Sequence, residues 1–283
     1  MKVLVFGISV LLGSTIFKVF SNSSQFEVFG SLRSDNYVKF FPAKYSSKIF
    51  SNIEALNFET ISKLINYIKP DVIINCIGAI KHKPNGNNAS YAIELNALFP
   101  LTLSNFCASI NAKLIHLSTD CVFSGIKGLY TEDDYPDAKD IYGKTKALGE
   151  LCHEENLVIR TSTIWHELDS SYNLLNWFLS QKNQCRGYKN AIFSGLPTIV
   201  IAEILINCVL KYPNLVGLYN IAGEPINKFD LLSLISNVYG KNIDIVEDKK
   251  LVIDRSLDYT KFSNATAYKA LKWECLIKKM YMY

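Results

Sequence analysis

Residues 2–6 (KVLVF) form a short apolar run that stops at Gly7, and a stretch with helical spacing begins near Leu12. That pattern predicts a buried strand, a tight turn and a helix. It recurs along the first half of the chain. Strands are predicted at 26–30, 72–77, 113–117 and 157–160, and helices at 57–68, about 90–110 and about 138–154. Strands alternating with helices at this spacing imply βαβ units, hence an α/β fold built on a doubly wound parallel sheet. After residue 165 the rhythm changes to amphipathic stretches at 172–181, 198–211 and 229–239, with short strand candidates at 217–221, 243–246 and 251–253. The expected division is a nucleotide-binding domain over 1–165 and a smaller α/β substrate lobe over 166–283, parts of which return to the sheet.

With 49% hydrophobic and 20% charged residues, the chain has the composition of a soluble globular protein, which excludes a disordered, collagen-like or coiled-coil chain. Its 283 residues fit one large domain with an attached cap. Thirty Lys and Arg stand against 26 Asp and Glu, mostly scattered, so no nucleic-acid partner is expected. The seven cysteines include no CxxC pair and read as reduced thiols in a cytoplasmic compartment. The four histidines show no i,i+4 pair, and no metal site is expected. Lys18 interrupts the first apolar run and no small-x-small cleavage site follows, so residue 1 is taken as the start of the fold, with no membrane partner.

The first turn, Gly7-Ile8-Ser9-Val10-Leu11-Leu12-Gly13, has the spacing of a glycine-rich dinucleotide turn with Val10 at the middle glycine. In a Rossmann-type fold such a turn lets backbone approach a pyrophosphate at a helix N-terminus, making Gly7, Ser9, Val10, Leu11 and Leu12 cofactor-binding candidates. An ordinary strand-to-helix turn also accounts for two glycines. The second strand is followed by Ser31 and Arg33 rather than an acidic residue, a corner that suits a 2′-phosphate and hence NADP(H); a solvated basic turn is the alternative.

Tyr142 and Lys146 are i and i+4 on a predicted helix, so their side chains share one face. A phenol of unperturbed pKa about 10 needs a nearby ammonium to serve as an acid-base group at neutral pH. A hydroxyl from Thr119 or Ser118, at the end of the preceding strand, is placed to polarise a reacting C–O bond.

The runs LSTDCVFSG (117–125), YTEDD (130–134), YGKTKALGE (142–150) and VIRTS (158–162) resemble the extended short-chain dehydrogenases of the dTDP-4-dehydrorhamnose reductase family, and the resemblance spans nearly the whole chain. It implies that Tyr142 is the proton donor, Lys146 its partner and a nicotinamide-ribose ligand, and Thr119 the carbonyl-binding hydroxyl. It implies also that Cys76, Ile77 and Gly78, after Asn75, form a further cofactor loop, that Glu54 contacts adenine, and that Pro197-Thr198 begins the cap. Two departures stand out: Val10 replaces a glycine, and Thr163 stands where rhamnose-type reductases carry a tryptophan, which points to a different or bulkier sugar.

The substrate-binding candidates are Lys81 with His82 and Lys83, then Ser118, Asp120, Cys121, Thr163, and Asn190 and Phe193 of the segment 190–197. Arg255 is a candidate for a diphosphate, against a salt bridge to Asp254 or Asp258. Trp165, Trp177 and Trp273 read as packing groups. The resemblance implies NADPH-dependent reduction of a nucleotide-linked 4-keto-6-deoxy-L-hexose, either dTDP-4-dehydrorhamnose or the UDP-2-acetamido-2,6-dideoxy-4-hexulose counterpart. Alternatives are an epimerase or dehydratase of the same fold, and a non-catalytic NADP-binding regulatory subunit. The partners expected are the nucleotide sugar and, as an assembly the sequence leaves open, a homodimer.

Overall fold

A computed structural model describes residues 1–79, 88–152, 155–166 and 173–283. The chain divides into two compact units: Met1–Ser118 with Lys139–Ile159 and Asn214–Leu218, and Thr119–Ala138 with Arg160–Pro213 and Tyr219–Tyr283.

In the first unit β1 (Lys2–Phe6) buries Val3, Leu4, Val5 and Phe6 completely, as a strand covered on both faces must. It pairs in parallel with β2 (Glu27–Ser31) on one side and β4 (Val72–Asn75) on the other; β3 (Ile49–Phe50) extends β2, and β5 (Lys113–Thr119) extends β4. With β6 (Leu157–Thr161) and the strand Gly217–Asn220 the sheet has seven strands among the described residues, in the order Gly217–Asn220, β6, β5, β4, β1, β2, β3. Strand order reverses at β1, the place where such sheets open a crevice at their carboxyl ends. The register puts Phe6, Ser31, Asn75 and His116 at one level there.

Helix α1 (Leu11–Ser21) follows β1, and α2 (Phe58–Ile68) presents Ile61, Leu64, Ile65 and Ile68 to the core, one apolar stripe at 3–4-residue spacing. Burying each such side chain contributes about 1.5–3 kcal/mol. The helix expected at 90–110 is two helices, α3 (Ala89–Ile93) and α4 (Phe99–Ser109), joined by a π turn, Glu94–Leu98. Pro100 lacks the N–H that an unbroken α-helix needs there. Helix α5 (Ile141–Leu148) is shorter than the expected 138–154 and is capped by Gly149, where a Cβ would lie 2.1 Å from the backbone oxygen of Asn96. The expected helix end at 153–154 lies outside the described residues.

The second unit is built from small pieces. Thr163–Ile164 pairs with Leu196–Pro197 in parallel, Gln184–Tyr188 with Asp244–Asp248 in parallel, and Ala191–Phe193 lies between Ile226–Asn227 and Ile253–Asp254. Helices α6 (Leu174–Ser180), α7 (Thr198–Ile204), α8 (Lys228–Tyr239), α9 (Thr260–Thr266) and α10 (Trp273–Met282) complete it. Trp165 and Trp273 are buried, while Trp177 is at the surface. No helix among the described residues is long and apolar enough to cross a membrane.

Candidate functional site

The turn after β1 needs both of its glycines. Gly7 has φ +81°, and a Cβ on Gly13 would lie 2.2 Å from the Gly7 carbonyl oxygen. Val10 needs no glycine: it is the N-cap of α1 with φ −88° and ψ 159°, extended backbone open to any residue. Its side chain caps nothing and no acidic residue lies in the first turn, so Ser9, Val10, Leu11 and Leu12 enter a helix whose N-terminus carries no side-chain cap. Ser31 is buried and its Oγ accepts from Gly7 N–H at 3.4 Å, locking β2 to the turn. Arg33 is exposed, and its Nη1 donates to the phenol oxygen of Tyr91 at 3.4 Å. Glu54 is exposed and holds Asn57 N–H with its carbonyl oxygen.

The loop after β4 packs on this turn: a Cβ at Gly7 would lie 2.9 Å from the Ile77 side chain. Asn75 Oδ1 accepts from Ile77 N–H at 3.0 Å, and burial pushes the Cys76 thiol up. Gly78 precedes Ala79, whose N–H and carbonyl oxygen both bond the Asn96 amide, at 2.7 and 3.2 Å; Asn96 Nδ2 also reaches Thr145 Oγ1 at 3.1 Å. The π turn thus places Asn96 to tie the loop after β4 to α5.

On α5, Tyr142 is half-buried and Lys146 is buried. Lys146 Nζ donates to the Leu117 carbonyl oxygen at 2.8 Å and lies 3.4 Å from His116 Nε2. Burial holds its ammonium down to about 8, against the opposing pull of Glu150, Cys152 and Cys76. Ser118 Oγ donates to Glu150 Oε1 at 2.5 Å, so that hydroxyl is committed to a carboxylate.

In the second unit Thr119 Oγ1 donates to Asp120 Oδ1 and accepts from Cys121 N–H, each at 3.1 Å. Burial raises the Asp120 carboxyl, opposed by its bond from Thr119, by Arg255 and Lys228, and by Ser162. Arg255 Nε donates to the Phe123 carbonyl oxygen at 2.9 Å and its Nη1 to Cys121 Sγ at 3.7 Å, so its guanidinium belongs to the Asp120 group rather than to a pair with Asp254 or Asp258. Phe193, buried, lies under Lys228, whose Nζ is 3.8 Å from the ring centroid.

Lys228 was not legible as a site residue. Burial lowers its ammonium to about 8, while Asp120 and Cys121 pull the other way. Its one sequence signal is position: a cation in the first turn of α8, behind the Asn227 cap, opposes the helix dipole. His116 had a comparable signal, a titratable ring inside an apolar strand.

Thr163 sits on its short strand beside Leu196, and Asn190 is exposed, its Nδ2 on the Lys249 carbonyl oxygen at 3.1 Å; neither joins the Asp120 group through a described hydrogen bond. Lys81, His82 and Lys83 lie outside the described residues. Among the described residues no cluster of three or more His, Cys, Asp or Glu is arranged to hold a metal ion.

A parallel sheet reversing at β1, a glycine turn into an uncapped helix, and a tyrosine and lysine one turn apart on α5 define an extended short-chain dehydrogenase/reductase fold. The chain belongs to the family described as the RmlD substrate binding domain, whose profile matches residues 1–250. Among curated relatives, the methionine adenosyltransferase 2 subunit beta of Rattus norvegicus is 30% identical over 172 residues, 59% of this chain and 48% of that protein. The chain thus spans about half the length of that relative. A dTDP-4-dehydrorhamnose reductase of Aggregatibacter actinomycetemcomitans is 26% identical over 265 residues, 83% of this chain and 88% of that one. The fold matches a dTDP-4-dehydrorhamnose reductase of Clostridium acetobutylicum with a TM-score of 0.81 at 20% identity, covering 100% of this chain and 99% of that one. It also matches one from Bacillus anthracis in complex with NADP, with a TM-score of 0.80 at 17% identity, covering 99% and 98%.

Proposed function

We propose that the protein is an NADPH-dependent reductase of a nucleotide-linked 4-keto-6-deoxy-L-hexose. The observation that carries this reading is the placement of Tyr142 and Lys146 one turn apart on α5, with Lys146 Nζ bonded to the Leu117 carbonyl oxygen of β5. The Aggregatibacter relative named for this activity supports it, as does the Bacillus anthracis structure that holds NADP.

The chain fits the dinucleotide at two places. The uncapped N-terminus of α1 offers backbone N–H groups and a positive dipole end to a pyrophosphate, and the exposed Arg33 offers a fork of donors to a 2′-phosphate. NADPH supplies the hydride in this chemistry. Tyr142 protonates the oxygen at C4 as negative charge develops there, and the Lys146 ammonium favours the phenolate that remains. Thr119 serves the same oxygen once its hydroxyl turns away from Asp120 Oδ1, which it bonds in this structure. Asp120, Lys228 and Arg255 gather ionisable groups in the second unit, and Thr163 leaves position 163 without the aromatic ring a tryptophan would provide.

The test is oxidation of NADPH by the purified chain with dTDP-4-dehydrorhamnose and with the UDP-2-acetamido-2,6-dideoxy-4-hexulose. Stoichiometric consumption with one of them is expected; release of product without net NADPH loss would mean an epimerase or dehydratase. A second reading is a non-catalytic NADP-binding regulatory subunit, favoured by the resemblance to methionine adenosyltransferase subunits beta. NADPH binding without turnover of either sugar would support it.

A further inference from the structure

His116 is fully buried in β5, between Asn75 of β4 and Lys146 of α5, and the proposed reaction leaves it without a role. Its two ring nitrogens face different partners: Asn75 Nδ2 lies 3.1 Å from Nδ1, and Lys146 Nζ lies 3.4 Å from Nε2. The orientation of the Asn75 amide is not free. Its Oδ1 accepts the Ile77 backbone N–H at 3.0 Å, so the side that meets His116 is the NH2 donor. His116 Nδ1 must then accept, and in a neutral imidazole the proton sits on Nε2, directed at Lys146.

An ammonium at Lys146 would meet that N–H donor to donor. A neutral amine satisfies every contact: one N–H to the Leu117 carbonyl oxygen at 2.8 Å, and the nitrogen lone pair to His116 Nε2–H. The other tautomer would only move the conflict to Asn75, and turning the amide would orphan the Ile77 N–H. We infer that His116 is a positioning residue for Lys146: held as the Nε2–H tautomer by Asn75, it donates to the lysine nitrogen and stabilises the unprotonated amine.

The other groups facing Lys146 are known. Cys76, from the loop after β4, and Cys152, after α5, are half-buried thiols that desolvation pushes up and keeps neutral, and Glu150, after α5, bears a carboxylate bonded by Ser118. Glu150 favours the ammonium and His116 the amine. His116 itself stays uncharged, because burial first and Lys146 second hold its imidazolium well below the ordinary range. For catalysis the inference rests on the reductase reading, in which the Lys146 ammonium favours the Tyr142 phenolate; when that ammonium gives up its proton to restore the phenol, His116 stabilises the amine left behind until solvent returns the proton.

The test needs no activity. In protein labelled with 15N-histidine, the ring resonances of His116 report which nitrogen carries the proton. The expected result is the Nε2–H tautomer at about pH 6.5 and about pH 9.5, with a step in the Nε2 shift whose midpoint is that of Lys146, about 8, and which is lost in Lys146→Met. Asn75→Asp keeps an oxygen for Ile77 N–H and presents an acceptor to Nδ1, so it should reverse the tautomer and move the step to higher pH. An Nδ1–H tautomer in the parent protein, a step that survives Lys146→Met, no step at all, or an unchanged tautomer in Asn75→Asp would each overturn the inference. Failure of the reductase reading would instead appear only as absence of sugar turnover, with the tautomer and the step intact.

Discussion

Lys146 Nζ is held 2.8 Å from the carbonyl oxygen of Leu117, so the lysine is positioned by the backbone of β5 rather than by an ion pair. Tyr142 lies one helical turn earlier on α5. Replacing the phenol alone should leave this anchor and the turn after β1 intact. Tyr142→Phe is expected to lower kcat by at least about 100-fold with NADPH affinity unchanged, the usual scale for a positioned general acid. Steady-state rates and a direct NADPH titration check both halves, and near-normal turnover would remove Tyr142 from the reaction.

Arg33 and Tyr91 define a second expectation. The guanidinium is exposed but tethered by Nη1 to the phenol oxygen of Tyr91 at 3.4 Å, a contact that limits where its fork can point. Charge-assisted hydrogen bonds contribute roughly 1.5–3 kcal/mol. Arg33→Ala should therefore weaken NADPH by roughly 10–100-fold and leave NADH nearly unchanged, and Tyr91→Phe should produce a smaller loss of the same kind. Parallel titrations with the two nucleotides decide it: equal losses would show that Arg33 does not read the 2′-phosphate.

The parts legible in the sequence were those whose physics is local. Strand β1 reads as a continuous apolar run because both faces of the sheet are covered, and Tyr142 and Lys146 read as a pair because helical geometry alone puts i and i+4 together. The second unit's strands, several only two residues long, carry no periodicity and exist because a partner segment lies beside them. The interruption at Glu94–Leu98 was hidden for another reason: Pro100 marks it, but a proline in the first turn of a helix also reads as an ordinary start. Lys228 and His116 escaped because their neighbours, Asp120 and Phe193 for one and Asn75 and Lys146 for the other, are assembled only by the fold.

Lys228 also supplies a pH prediction. Its folded pKa of about 8 lies below the unfolded lysine value of about 10.4, so between these limits the unfolded chain binds the extra proton and this group makes stability rise with pH. The thiols of Cys76, Cys107, Cys152, Cys185 and Cys208, all raised by desolvation, work in the opposite sense above about pH 8.5, because the unfolded chain loses those protons first. The readout is therefore a difference. Between about pH 8 and 9.5, urea unfolding of Lys228→Met should lose more stability, or gain less, than the parent protein. Identical pH slopes would mean that Lys228 titrates as a lysine in water.

Val10 gives the last prediction. Its backbone is extended and unstrained, so the absence of glycine there costs the turn nothing, and what Val10 withholds is a side-chain acceptor for the first N–H groups of α1. An N-cap acceptor stabilises a helix by about 1 kcal/mol, and a carboxylate adds a favourable interaction with the dipole. Val10→Asp should thus raise the Tm of the free protein by about 2 °C, the shift that 1 kcal/mol produces in a chain of this size. The same carboxylate would occupy the N–H groups offered to the pyrophosphate and repel its charge, so NADPH affinity should fall by at least about 10-fold, some 1.4 kcal/mol. Val10→Ala, which neither caps nor repels, should bind NADPH as the parent does. Thermal unfolding of the free variants and calorimetric titration with NADPH separate the two effects: a Val10→Asp protein that is more stable yet binds NADPH as tightly as the parent would mean that the N-terminus of α1 does not hold the pyrophosphate.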